Sequence, residues 1–243
     1  MRITFFGSSH GVPEANRHCS CAMITVGEGE GAARYFIDMG MQAIDELVTR
    51  GIPVESVRAV FITHMHGDHT NGVISFADLC NWYFTDASPK LFFPEAEGID
   101  AMKAWIKANG NLLRDGIGTD TVSEGEVYDD GVLRVSAYRT QHCKVSFSYL
   151  VEAEGKRVLF TGDLRGPSVD LPLDAARGGL DLMICECAHF DGTDYAGVLS
   201  ALPVRRVVVN HYAPHKIPSL LELKSQVAPL PVALANDGME IEL

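Results

Sequence analysis

Two hydrophobic periods run through the chain. Short apolar runs rich in β-branched and aromatic residues predict strands at 2–6, 21–26, 35–38, 57–63 and 91–93 in the first half. In the second half the same pattern predicts strands at 133–139, 145–151, 157–161, 182–185, 207–210, 232–234 and 239–242. Met41, Ile44, Leu47 and Val48 fall at helical spacing, and Gly51 with Pro53 stops that helix, so 41–50 is predicted helical. Residues 72–84 and 95–108 read as helices too, the second closed by Asn109-Gly110, with shorter helices near 194–201 and 218–226. Strands and helices intermix without a Pro- or Ser-rich linker, a low-complexity tract or a short repeat. A single α/β domain over residues 1–243 is the expectation.

Composition narrows the partners. The 20 basic against 32 acidic residues give a net charge of −12, although only 21% of residues are charged and 47% are hydrophobic. Such a chain can fill a core, and its acidic balance works against broad binding to extended nucleic acid or anionic membrane. No run approaches the ~18 apolar residues of a membrane span, and the first residues lack a secretory pattern. Six cysteines are sparse for a disulfide scaffold, so reduced thiols in a cytoplasm are expected.

The chemistry concentrates at residues 63–72, Thr-His-Met-His-Gly-Asp-His-Thr-Asn-Gly, directly after a predicted strand. Imidazole and carboxylate are the usual ligands of zinc and related ions. His64 and His66, two residues apart on an extended turn, can converge on one ion, while Asp68 and His69 can reach a second. His142, Asp163 and His211 each lie just past a predicted strand, where loop side chains gather at one sheet edge. Seven candidate ligands at strand ends are hard to explain as a solvated polar surface.

In this order the residues resemble the metallo-β-lactamase superfamily: T-H-x-H-x-D-H-x-x-G at 63–72, then His142, then Thr161-Gly162-Asp163, then His211. The resemblance implies a four-layer αβ/βα sandwich of two mixed sheets with outer helices and the site on one edge. It also implies a dinuclear centre of two divalent ions, zinc first, with manganese or iron as alternatives. His64, His66 and His142 would hold one ion, Asp68, His69 and His211 the other, and Asp163 would bridge. Asp38 matches an aspartate that supports the histidine loop. A bridging hydroxide then makes hydrolysis of a carboxylic or phosphoric ester the default reaction, with Asp68 orienting the nucleophile.

Within the superfamily, Asp163 stands where true β-lactamases resemble a Cys or Ser position. Flavodiiron proteins and nucleases with an inserted domain need more chain, and 32 residues after His211 are too few for a glyoxalase II-like helical region. The chain most resembles the ribonuclease Z-like group with its small phosphodiesterases, through Ile3-Thr4-Phe5-Phe6-Gly7, Phe160–Asp163 and the segment 182–188. The tRNA-processing members carry a long arm between the third and fourth motifs, whereas His142 and Asp163 are only 21 residues apart. A small phosphodiester is therefore the expected substrate, with a lactone or other carboxylic ester as the alternative. A mononuclear iron sulfur dioxygenase and a tRNA endoribonuclease stand behind these. A homodimer is compatible with the same reading.

Fainter signals surround the motif. His189 follows Glu186 by three residues and is a candidate proton donor, with Glu186 in support. His10, Arg17, Lys144, Arg165 and Lys216 are candidate substrate contacts, against the alternative of ordinary surface bases. Cys19 and Cys21, with His18 and His215 as further ligands, are candidates for a structural metal, against buried free thiols. Cys185 and Cys187 read as core, and Trp82-Tyr83-Phe84 as packing beside the histidine helix, with a substrate wall as the alternative.

Overall fold

Apolar runs without strict alternation need cover on both faces, and the computed structural model shows how each face is buried. It describes all 243 residues apart from the side chain of Glu30. The first sheet contains β1 (Arg2–Gly7), β2 (Cys21–Val26), β3 (Ala33–Met39), β4 (Val57–Phe61), β5 (Lys90–Phe93) and β6 (Gly118–Thr121). The second contains β7 (Gly125–Asp129), β8 (Arg134–Arg139), β9 (Phe147–Ala153), β10 (Lys156–Phe160), β11 (Leu182–Cys187), β12 (Val207–Tyr212) and β13 (Val232–Leu234). The chain then returns to the first sheet, where β14 (Glu240–Glu242) pairs antiparallel with β1. The orders are β14-β1-β2-β3-β4-β5-β6 and β13-β12-β11-β10-β9-β8-β7. Both sheets are mixed: β3 to β6 and β10 to β13 run parallel, and the remaining pairs antiparallel.

Neighbouring residues on a strand point to opposite faces. Phe5, Tyr35 and Phe61 therefore meet Tyr149, Val158 and Val208 between the sheets. Phe6 and Phe36, one residue along, face outward onto α1 (Ala43–Thr49), α2 (Gly67–Trp82) and α3 (Ala96–Ala108) through Leu47, Phe76 and Met102. On the second sheet Leu159, Met183 and Val209 pack on α6 (Ala196–Leu199) and α7 (Ile217–Gln226) through Leu199, Leu220 and Leu223, near the short α4 (Pro167–Asp170) and α5 (Leu173–Ala176). The result is the expected four layers, helix–sheet–sheet–helix. Among the described residues, no helix is long and apolar enough to cross a membrane.

Two strands escape the hydrophobic pattern. β6 and β7 have largely polar sequences, GTDT and GEVYD, and each is an outer strand of its sheet. An edge strand is held by backbone pairing on one side and needs little apolar burial. α2 also begins at Gly67 rather than at 72, because its first turn carries Asp68 and His69 in place of apolar residues.

α2 comes unusually close to the turn after β3. A Cβ built on Gly72 would lie 2.0 Å from the carbonyl oxygen of Gly40. Gly72→Ala must therefore displace the helix that carries Asp68 and His69. A loss of at least about 1–3 kcal/mol is expected in urea unfolding. An unchanged midpoint would mean that this contact is soft.

Candidate metal centre

The parallel strands bring their C-terminal ends to one edge, the usual place for a site in sheets of this kind. β4 leads directly into Thr63 and His64, and the two sheets are joined here. The Phe147 amide donates to the Thr63 carbonyl at 2.9 Å, and the Tyr149 hydroxyl donates to the Ile62 carbonyl at 2.7 Å. Asp163 is reached across Gly162, whose φ is +57°. A side chain at Gly162 would meet the Phe147 carbonyl at 2.8 Å, so the chain needs glycine here. Asp38 and His211 adopt φ of +57° and +47°, conformations uncommon for residues with a Cβ.

Asp38, buried at the end of β3, organises the histidine loop. Its carboxylate accepts from the Thr63 amide at 2.8 Å, the Thr63 hydroxyl at 3.0 Å and Nδ1 of His69 at 2.7 Å. With its proton given to Asp38, the Thr63 oxygen can accept from Nδ1 of His64 at 3.0 Å. Both rings then turn Nε2 toward the sheet edge, where a bound ion would displace any proton carried there. One carboxylate thus sets the tautomer of two histidines, one of them through Thr63.

The ligand atoms converge in overlapping sets. In the first, Nδ1 of His66 lies 2.9 Å from Nε2 of His64 and 3.2 Å from Nε2 of His142. Asp163 Oδ2 lies 3.7 Å and 3.6 Å from those two Nε2 atoms. In the second, Asp68 Oδ2 is 3.3 Å from Nε2 of His69 and 3.7 Å from Nε2 of His211. Asp163 joins this set as well, with oxygens 3.6 Å from His69 and 3.5 Å from His211. Four ligands at about 2.1 Å around a tetrahedral ion stand about 3.4 Å apart. The observed separations fit that scale.

Electrostatics favour a cation at this edge. Burial, aided by the neighbouring His69, pushes His64 down to about 2, so its ring is neutral and able to ligate. Burial works to lower His69, but Asp38 and Asp163 outweigh it and hold the ring well above its ordinary range. Burial would raise Asp163, yet His211 and His69 keep it well below the usual carboxylate range. Nε2 of His69 and Oδ1 of Asp163 are buried without a hydrogen-bond partner among the described residues. Such atoms are costly unless something binds them, and this donor set suits a divalent ion.

The remaining candidates divide by position. His189 reaches the edge: its Nδ1 donates to Glu186 Oε1 at 2.9 Å and lies 3.8 Å from Asp163 Oδ2. The hydrogen bond to Glu186 raises His189 above its ordinary range despite partial burial. Glu186 also accepts from the Leu164 and Ala188 amides at 2.9 Å and 2.7 Å, tying the loop after Asp163 to β11. His10 lies 3.6 Å from Glu14 in the loop between β1 and β2, and burial lowers it.

The basic candidates are mostly engaged elsewhere. Arg17 is buried, donates to the Ser8 and Tyr212 carbonyls at 2.6 Å and 2.7 Å, and lies over the Tyr212 ring. It braces the loop after β1 against the strand bearing His211, and it is no free anion clamp. Lys144 pairs with Glu95 at 3.1 Å, and Lys216 with Asp191 at 2.9 Å. Arg165 is exposed, and its backbone amide donates to Asp170 at 3.0 Å. Asp170, which hydrophobic periodicity does not reveal, also accepts from the Gln141 and Gly166 amides and so joins the loops carrying His142 and Asp163.

The cysteine grouping does not assemble. Cys19, Cys21 and His215 form no shared ligand set among the described residues, and Cys21 is buried in β2. His18 instead meets Asp237 at 2.7 Å. Phe84 packs on the core beneath α2 as expected, whereas Trp82 and Tyr83 are exposed at the end of that helix.

The chain is similar in sequence and in fold to several known proteins. Over 160 residues it is 26% identical to a ribonuclease Z of Nitrosopumilus maritimus, covering 64% of this chain and 50% of that one. The chain thus spans about half the length of the curated relatives it matches first. Among solved structures, the metallo-β-lactamase fold protein YhfI from Bacillus subtilis superposes with a TM-score of 0.79 at 16% identity, over 99% of both chains. Human tRNase Z, short form, gives 0.76 at 19% identity over 100% of this chain and 99% of that one. These likenesses establish the metallo-β-lactamase fold. The family description "Anti-Pycsar protein Apyc1" matches residues 1–216, nearly the whole αβ/βα frame and every candidate ligand, and the chain belongs to that family.

Proposed function

We propose that this chain, acting as one domain over residues 1–243, is a dinuclear metal-dependent hydrolase of small phosphodiesters. The observation that carries it is the pair of convergent ligand sets, His64–His66–His142–Asp163 and Asp68–His69–His211, whose ligand atoms within each set lie within 4.8 Å of one another. Asp163 also lies within 3.6 Å of two members of the second set, which suits a bridging carboxylate. Two divalent ions, zinc in the first instance, would supply a hydroxide at neutral pH and positive charge for the developing phosphoryl oxygens.

The chain's own groups do the rest. Asp68, at the start of α2, borders the space between the sets and orients the nucleophile. His189, held at Nδ1 by Glu186, has Nε2 free to give a proton to the departing alkoxide. Asp38 and Thr63 keep the histidine rings from turning.

The size of the substrate follows from the same edge. Between His142 and Asp163 the chain forms only a loop and the β9–β10 hairpin, with no projecting arm. Together with a net charge of −12, this favours a small ester over an extended RNA.

The test begins with metal analysis of the purified protein. Bis-p-nitrophenyl phosphate, 3′,5′-cyclic nucleotides, lactones and a tRNA precursor are then compared as substrates, before and after chelation. Metal-dependent cleavage of the small phosphodiesters is expected. Less than one bound metal with none gained on reconstitution overturns the centre. Preference for lactones or for the tRNA precursor overturns the substrate class, and oxygen consumption with one iron overturns hydrolysis.

A further inference from the structure

Between the sheets, bordering the candidate centre through Asp38, His69, Asp163 and His211, lies a small cavity of about 30 Å³ that Ser20 and Asn210 also line. Consecutive strand residues ordinarily face opposite ways, yet Asn210 and His211 both line this cavity. The pairing of β11 with β12 explains it. Cys185 faces Val209, but Cys187 faces Tyr212, so β12 carries one residue more than β11 over this stretch. That bulge, with His211 at φ +47°, brings two successive side chains to the same space.

Both side chains are more than nine-tenths buried, and each has an orphaned polar atom. His211 Nδ1 and Asn210 Oδ1 have no hydrogen-bond partner among the described residues. The contrast with the neighbouring rings is informative. Nδ1 of His64 is met by Thr63 and Nδ1 of His69 by Asp38, whereas Nδ1 of His211 has no protein acceptor. Metal-binding histidines nearly always donate their second ring nitrogen to a fixed acceptor. Asn210 offers an oxygen, and an acceptor for the ring together with a donor for the amide is what a single water provides. A cavity of this volume exceeds the ~10–15 Å³ that one water requires.

We propose that the cavity holds one ordered water that accepts the Nδ1–H of His211 and donates to Asn210 Oδ1. Asn210 is then a positioning residue, acting on His211 through that water, while Ser20, Asp38 and Glu186 are further polar residues of the lining. The water completes for His211 the role that Thr63 and Asp38 play for the other two rings. The inference rests on His211 being a ligand of the second metal position.

A high-resolution crystal structure of the zinc-loaded protein is the first test. A water oxygen within about 3.2 Å of both atoms is expected. A dry cavity, or an Asn210 amide bonded elsewhere, overturns the proposal. The zinc count of the same crystal reads separately on the dinuclear assignment. One zinc with the water in place overturns the centre and supports the water, whereas two zincs around a dry cavity do the reverse.

Zinc titration tests the positioning role. Asn210→Leu, which removes the acceptor, should weaken the second zinc about 10–100-fold and leave the first unchanged. Asn210→Ser keeps a hydroxyl and room for water, so it should retain wild-type affinity within a few-fold. Histidine ¹⁵N spectra of loaded wild type should show His211 protonated at Nδ1, a signal that Asn210→Leu shifts and Asn210→Ser preserves. Equal second-site affinity in the two variants, or an unchanged His211 signal, would overturn it.

Discussion

His66→Ala should reduce hydrolysis by about a thousandfold or more while the fold persists. His66 is the exposed member of the first set, so shortening it removes little buried surface. Yet its Nδ1 stands between His64 and His142, 2.9 Å and 3.2 Å from their ring nitrogens. Losing that nitrogen leaves the first position with two imidazoles and one carboxylate. The ion there, if retained, would be weakly held and poorly oriented, and several kcal/mol of transition-state stabilisation should go with it. His64→Ala would be a poorer test, because His64 is fully buried and its removal also opens a cavity. The measurement is kcat/KM on bis-p-nitrophenyl phosphate, with metal content and thermal unfolding on the same preparation. A variant that binds less metal and melts near wild type while losing activity supports the assignment. Unchanged turnover overturns it.

The candidate centre was legible in the sequence because its chemistry is local or tied to strand ends. His64, His66, Asp68 and His69 occupy one turn and the start of α2. His142, Asp163 and His211 needed only the expectation that strands end at a common edge, which the sheet topology provides. The aims of long basic side chains were not legible. Arg17 carries no sign of burial in the sequence. It is buried because Ser8 and Tyr212 present carbonyls where the β1–β2 loop crosses β12. Lys144 and Lys216 each meet an acid at least 25 residues away in sequence, a pairing no local pattern encodes. Cys19 and Cys21 looked paired through spacing alone, but the strand begins between them and carries only Cys21 into the core. Asn210 belongs with these. Its role depends on a bulge that changes which face it occupies, and periodicity assumes that no bulge is there.

The second large effect should fall on His189, and it should depend on the leaving group. Its ring is oriented by Glu186 at 2.9 Å, and that hydrogen bond raises its proton affinity, so a proton is available at Nε2 for a departing oxygen. The ring centres of His142 and His189 lie 4.5 Å apart, which places the donor beside the first ligand set. A general acid matters in proportion to the basicity of the leaving group. His189→Ala should therefore lower kcat about 10²–10⁴-fold for an alkyl or ribosyl leaving group. For p-nitrophenolate, which departs without a proton, the loss should be only a few-fold. KM should change little in either case, because an interaction made only in the transition state lowers kcat. Metal content, measured alongside, should match wild type. If His189→Ala instead lost metal, the nearby grouping of Asp163, Glu186 and His189 would be a ligand set rather than a proton-donor site. An equal loss on both substrates with metal retained would make His189 a binding residue and leave the proton to solvent.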